Sequence, residues 1–153
     1  MEFEGTPLRS SHLDDIAEAL PRRAALLTRL FLKHANLGVS RTEIGVLSIA
    51  CEQPQRITEL AAAEGVTQPA ISLVVNRLVD RGWVVRESDS SDRRAVLVTL
   101  TPEGHRAWDR IRAEYRGLLH EEVATLDDAA VETLARAVEV LDELIGRLME
   151  RES

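Results

Sequence analysis

Apolar residues recur at helical spacing over Leu13, Ile16, Ala17, Leu20, Ala24, Leu27, Leu30 and Phe31, so one apolar stripe runs along a first helix at about residues 12–36. Ser11 with Asp14 three positions on fits a capping box at its start, Pro21 is expected to kink or divide it, and Asn36 and Gly38 end it. Ser40 and Glu43 repeat the box, and Ile44, Leu47, Ile49 and Ala50 carry a second helix from Arg41 to about Cys51. Gln53-Pro54-Gln55 reads as a turn. Thr58 is expected to cap a short helix over Glu59–Glu64, which Gly65 stops because glycine takes the left-handed conformation at little steric cost. Thr67 caps the next helix, Pro69 is tolerated in its first turn, and the helix runs to about Arg81 before Gly82.

The period then changes. Trp83-Val84-Val85 begins one short strand, Asp89-Ser90-Ser91-Asp92 is a polar turn, and Ala95-Val96-Leu97-Val98 is a second strand, which together make a hairpin. Thr101-Pro102 starts another long helix over about 102–122, with Ala107, Trp108, Ile111, Tyr115, Leu118 and Leu119 apolar. Thr125 or Asp127 opens a last helix over about 128–150. In it Val131, Val138 and Ile145 are spaced by seven, and Leu134, Leu141 and Leu148 repeat three residues later. β-branched residues on one seam and leucine on the other are the preference of a two-stranded coil. An intrachain bundle is the competing reading. A dimer surface is preferred, because the terminal helices leave little for each other to bury unless a second chain contributes.

Composition narrows the class. Hydrophobic residues are 44%, charged residues 29% and aromatics 3%, so the apolar mass is aliphatic and suited to helix packing. The single cysteine, Cys51, excludes an intrachain disulfide and a cysteine-ligated metal cluster within one chain. The four histidines show no close metal-ligand spacing, and no cofactor is expected. No stretch reads as a signal peptide or a membrane span, so a cytoplasmic location and no membrane partner are expected. The net charge of −7 argues against nucleic acid only until its distribution is seen. Residues 1–56 are neutral, 57–100 carry −1, and 101–153 carry −6 from seven arginines against thirteen acids. The middle of the chain is therefore free to present a basic edge.

The middle also holds the strongest functional pattern, ITELAAAEGVTQPAISLVVNRL at 57–78. A helix-turn-helix needs a small residue where its helices cross (Ala61), a turn residue tolerant of positive φ (Gly65), and apolar residues holding the second helix on the first (Val66, Ile71, Val74). Its outward face would then offer Thr67, Gln68, Ala70, Ser72, Asn76 and Arg77. Gln and Asn bond bidentately to adenine, and Ser or Thr reaches base edges or phosphate. A helix N-terminus favours phosphate. The hairpin follows at once, with Asp92, Arg93 and Arg94 at its tip, where arginine is able to enter an adjacent minor groove. One of those arginines is expected to pair with Asp89 or Asp92 and stiffen the tip. No nucleophile–base pair or carboxylate–metal set stands at a recognisable spacing, so an enzyme is not expected.

From Glu59-Leu60-Ala61 through Gly65-Val66-Thr67, NRLVDRGWVVR at 76–86 and DSSDRRAVLVTLTPEG at 89–104, the chain resembles the MarR family of winged helix-turn-helix regulators. The Asp92-x-Arg94 pattern followed by a strand and LTPEG is the specific part, and the helical layout extends the likeness over nearly the whole chain. The resemblance implies a mainly α fold with a small β wing. A winged helix-turn-helix DNA-binding domain would occupy 39–101, and long terminal dimerisation helices 1–38 and 102–153. It implies a homodimer on a pseudo-palindromic operator in double-stranded DNA, commonly a repressor, released by a small aromatic or phenolic effector. By the same resemblance Arg94 is the wing arginine and Asp92 its ion-pair partner, and Gln68, Pro69, Ala70, Ser72, Asn76 and Arg77 lie on the recognition helix. Arg77, Arg86 and Arg93 are expected on phosphates, and Gln68 and Ser72 on bases. His34, Asn36, Trp108 and Tyr115 are candidates for an effector cleft. A winged helix used for protein–protein contact is the alternative.

Overall fold

The computed structural model describes residues 7–34, 38–90, 92 and 95–151. Nine elements follow one another: α1 (Pro7–His34), α2 (Arg41–Ala50), β1 (Gln55–Arg56), α3 (Ile57–Glu64), α4 (Gln68–Asp80), β2 (Val84–Ser88), β3 (Val96–Leu100), α5 (Pro102–Val123) and α6 (Asp128–Glu150). The mainly helical fold with a small antiparallel sheet agrees with the sequence pattern. The chain divides into two compact units, one ending at Glu114 and the other beginning at Tyr115, so that α5 belongs to both.

The first unit holds the core. Val46, Leu47 and Ala50 of α2, Leu60 and Ala61 of α3, and Ile71, Val74, Val75 and Leu78 of α4 are buried. Val84, Val98 and Leu100 of the sheet and Ala107 and Ile111 of α5 join them. These aliphatic side chains bury what each amphipathic helix cannot bury alone. In the second unit, α6 has no buried side chain. No helix among the described residues is long and apolar enough to cross a membrane.

Local chemistry accounts for most boundaries. Ser40 Oγ accepts the Glu43 N–H at 3.2 Å while the Glu43 carboxylate accepts the Ser40 N–H at 2.7 Å, which closes the expected box at the start of α2. Asp127 caps α6 by accepting the Ala130 N–H at 2.8 Å. Thr101 caps α5 by accepting from Gly104 N–H at 2.9 Å, and its hydroxyl donates to the Gly82 carbonyl at 2.6 Å.

Four boundaries differ from the pattern-based expectation. α1 starts at Pro7, because a proline needs no N–H partner in a first turn and its φ is already helical. Ser11 therefore lies inside the helix and opens nothing. Pro21 also sits inside α1 without ending it; the carbonyl it leaves unpaired belongs to exposed Ala17 and can turn to water. α3 begins at Ile57, with Arg56 rather than Thr58 at its cap position and the Glu59 carboxylate accepting the Arg56 N–H at 2.9 Å. Gln55, expected in a turn, pairs with Val98, and Arg56 with Leu97. The sheet therefore has three strands in the order β1-β3-β2.

Candidate nucleic-acid interface

Gly65 sets the angle between α3 and α4. Its φ of +63° lets the chain reverse, while Gly65 N–H donates to Ala62 O and Val66 N–H to Ala61 O, satisfying carbonyls that the end of α3 would otherwise leave open. Ala61, buried at that crossing, leaves room for α4. The Thr67 hydroxyl accepts the Ala70 N–H at 3.4 Å and fixes the start of α4. One side of α4 is then anchored by Ile71, Val74, Val75 and Leu78. Opposite that stripe Pro69 and Asn76 are exposed; Thr67 and Gln68 are exposed at the start of α4 and Arg77 at its flank, and Ala70 and Ser72 are half-buried.

A residue missing from that expected set sits in its middle. Leu73 is 62% exposed and lies one turn from both Pro69 and Asn76. The signal was the spacing: position 73 falls opposite the stripe 71, 74, 75 and 78, so its hydrophobicity cannot serve the core.

Glu43 locks α4 to α2. The residue is 3% exposed. Its Oε1 accepts from Arg77 Nε at 3.4 Å and lies 4.0 Å from Arg81 Nη2. Burial pushes the Glu43 carboxyl up, but hydrogen bonds from Ser40, the charge of Arg81 and a hydrogen bond from Arg77 outweigh it and hold the carboxyl below its ordinary value. Arg81 also donates to the Gly38 carbonyl at 2.8 Å and lies over the Trp83 ring, 5.0 Å from its centre. Arg77, expected on a phosphate, is therefore partly engaged within the fold, though half of its side chain stays exposed.

The hairpin stands beside this surface. β2 and β3 pair from Val84↔Leu100 to Ser88↔Val96. Beyond them Asp89 N–H donates to Ala95 O, and Ala95 N–H to Asp92 O at 2.8 Å, which turns the chain at the tip. Buried Asp89 accepts from Arg56 of β1 through both Nε, at 3.0 Å, and Nη2. Arg56, brought there by the unforeseen strand, is thus one partner of Asp89. Asp92 is exposed. Arg93 and Arg94 lie outside the described residues, and so does the expected Asp92–Arg94 pair. Arg86 is exposed on β2 and its Nη2 reaches the Ser72 carbonyl at 3.4 Å, which sets its guanidinium at the junction of hairpin and α4.

Of the candidates for an effector cleft, His34 is exposed at the end of α1, Trp108 is half-buried in the first unit, and Tyr115 is half-buried at the start of the second. Asn36 lies outside the described residues. Burial pushes the Tyr115 phenol up. None of His34, Trp108 and Tyr115 lines the groove of about 510 Å³ between α1 and the start of α2, which is formed by Ala24, Ala25, Thr28, Arg29, Leu32 and Arg41. Cys51 is half-buried and donates to the Ser48 carbonyl at 3.0 Å. Burial, then the Glu52 charge, pushes its thiol up, away from the reactive thiolate.

Against known proteins, residues 39–96 match the family model described as MarR family. The multiple antibiotic resistance protein MarR of Salmonella typhimurium is 32% identical over 98 residues, covering 61% of this chain and 68% of that protein. The HTH-type transcriptional regulator FarR of Neisseria gonorrhoeae is 29% identical over 145 residues, 93% of each chain. The crystal structure of CouR from Rhodococcus jostii RHA1, bound to p-coumaroyl-CoA, superposes with a TM-score of 0.60 at 26% identity over 82% of this chain and 93% of that one. With a helix-turn-helix, a hairpin wing and these relatives, the chain belongs to the MarR family of DNA-binding transcriptional regulators.

Proposed function

We propose that the chain acts as a homodimer that lays two α4 helices in successive major grooves of a pseudo-palindromic operator, represses from there, and lets go when a small phenolic or aromatic anion binds. The observation that carries this is the outward surface of α4. Asn76 faces away from the anchored side, Gln68 is exposed in its first turn, and Ser72 and Arg77 lie at its flanks, with Arg86 of the wing strand beside Ser72. Gln68 and Ser72 would read bases, and Arg77, Arg86 and Arg93 would position the duplex by phosphate contacts. Arg94 would enter the minor groove from the hairpin tip. Half-sites would lie about one helical turn apart, roughly 34 Å.

Support for the dimer is the apolar face that α1 and α6 leave uncovered in one chain. In this reading residues 1–38 and 102–153 form the dimerisation region and 39–101 the DNA-binding domain. Support for an anionic effector is the groove beside α1, where Arg29 and Arg41 flank an aliphatic wall. CouR offers a precedent, since that protein was crystallised with p-coumaroyl-CoA.

The test is a fluorescence anisotropy titration against duplexes tiling the promoter of the protein's own gene. Saturable, salt-sensitive binding of two chains per duplex is expected. Arg94→Ala should weaken it by about tenfold or more, the loss of roughly one strong base or groove contact; unchanged affinity refutes the wing role. Adding phenolic acids, their thioesters, urate and peroxides to the bound complex should identify a releasing anion. No saturable binding to any duplex would return the fold to protein–protein recognition.

A further inference from the structure

We infer that Leu73 is a specificity-determining residue that packs against the 5-methyl group of a thymine in the major groove, so that each half-site carries an A·T pair beneath the middle of α4. The inference rests on the DNA-binding reading above. Four aliphatic side chains anchor α4 from one side, and Leu73 points the opposite way with 62% of its surface in solvent. It lies among residues of the surface offered to the duplex, one turn after Pro69 and nearly one before Asn76. A leucine there adds nothing to the core and leaves apolar area in water, and a lone exposed leucine elsewhere would need no explanation. Here its neighbours give it a role. The thymine methyl is the one apolar group that a base edge shows in the major groove. Its partner adenine presents N7 and N6 to a bidentate amide, and exposed Asn76, three residues on from Leu73, supplies one. Leucine and amide therefore recognise the two halves of the same kind of base pair. A G·C pair offers neither the methyl nor the adenine pattern.

The experiment starts from a duplex that the full-length protein selects from a randomised pool. Each thymine of a half-site is then replaced singly by deoxyuridine, which removes the methyl and leaves base pairing unchanged. At one position per half-site the wild type should lose about fourfold in affinity, and about fifteenfold when both half-sites are changed, the worth of one buried methyl each time. Leu73→Ala should bind the thymine duplex more weakly and no longer distinguish it from the deoxyuridine duplex. Because Leu73 is exposed, the variant should keep the wild-type circular dichroism spectrum and melting temperature. Tight wild-type binding that is indifferent to every deoxyuridine overturns this inference alone. A Leu73→Ala variant with undiminished methyl sensitivity does the same. A wild type that selects no duplex overturns the DNA-binding reading and this inference with it.

Discussion

Glu43 shows how much one side chain can organise. A buried carboxylate is costly unless its oxygens are fully engaged. Here one oxygen closes the cap of α2 and the other faces Arg77 of α4 and Arg81 just past its end. The first role was legible, because Ser40 and Glu43 are three residues apart. The second was not, because its partners come from another helix far along the chain. Glu43→Gln should cost about 1–3 kcal/mol at pH 7, since arginine donors lose a charged acceptor. The pH dependence has a definite sign. The folded carboxyl is held below its ordinary value of 4.5, so its stabilisation is complete above that value and is lost as pH falls through the lower folded value. Urea midpoints of wild type and Glu43→Gln should therefore differ most near neutrality and converge in acid. A gap that widens in acid would mean that the carboxylate does not hold α4 in this way.

Between elements, two glycines that look alike in sequence have opposite consequences. A Cβ on Gly104 would collide with the Trp83 carbonyl oxygen, and that carbonyl already accepts the Thr101 N–H. Backbone cannot retreat there without parting α5 from the start of the hairpin, so Gly104→Ala should destabilise by about 1–3 kcal/mol. On Gly45 the atoms nearest the same Cβ would belong to the carboxylate end of Glu64. That is the far end of a flexible side chain, and although the Arg41 charge favours its carboxylate, burial works against it and raises its carboxyl. Gly45→Ala should therefore stabilise α2 by about 0.5–1 kcal/mol, the ordinary gain from alanine inside a helix. Thermal melts of the two variants should move in opposite directions, and a fall for both would show that Glu64 cannot leave. The LTPEG segment was visible in the sequence, but the reason for its glycine was not, because Trp83 is brought there by the hairpin. The same distinction runs through the elements. The Ser40 box, Gly65, Thr67 and Gly82 act within a few residues and were readable. Strand β1 has two residues and no period to detect, and it exists because β3 lies beside it. Ser11 and Asp14 had the right spacing for a helix start, but Pro7 had already begun the helix.

For the whole molecule, the decisive feature is apolar surface without a partner. Leu13, Ile16 and Leu27 of α1 are exposed, and Val138 and Ile145 of α6 are 56% and 52% exposed on a helix with no buried side chain. Soluble monomers rarely expose patches of this kind over whole helices. The seven-residue repeat on α6 supports a second copy of the chain, as proposed above, as the occupant. A seam of valine and isoleucine beside one of leucine is self-complementary, so a second copy of the same helix satisfies it. Its surroundings favour the same end, since the −6 charge of residues 101–153 would repel phosphate and is best held away from DNA. Light scattering of the wild type should therefore give twice the chain mass of 17.0 kDa. Placing glutamates at Val138 and Ile145 should yield a folded monomer, because both side chains are exposed on a helix with no buried residue. That monomer should bind a single half-site far more weakly than the dimer binds both, since the second contact is no longer intramolecular. A doubly substituted chain that stays dimeric would move the interface to α1. A wild type that is monomeric both free and on DNA would leave one α4 to find its operator alone, and the two-groove model of recognition would fall.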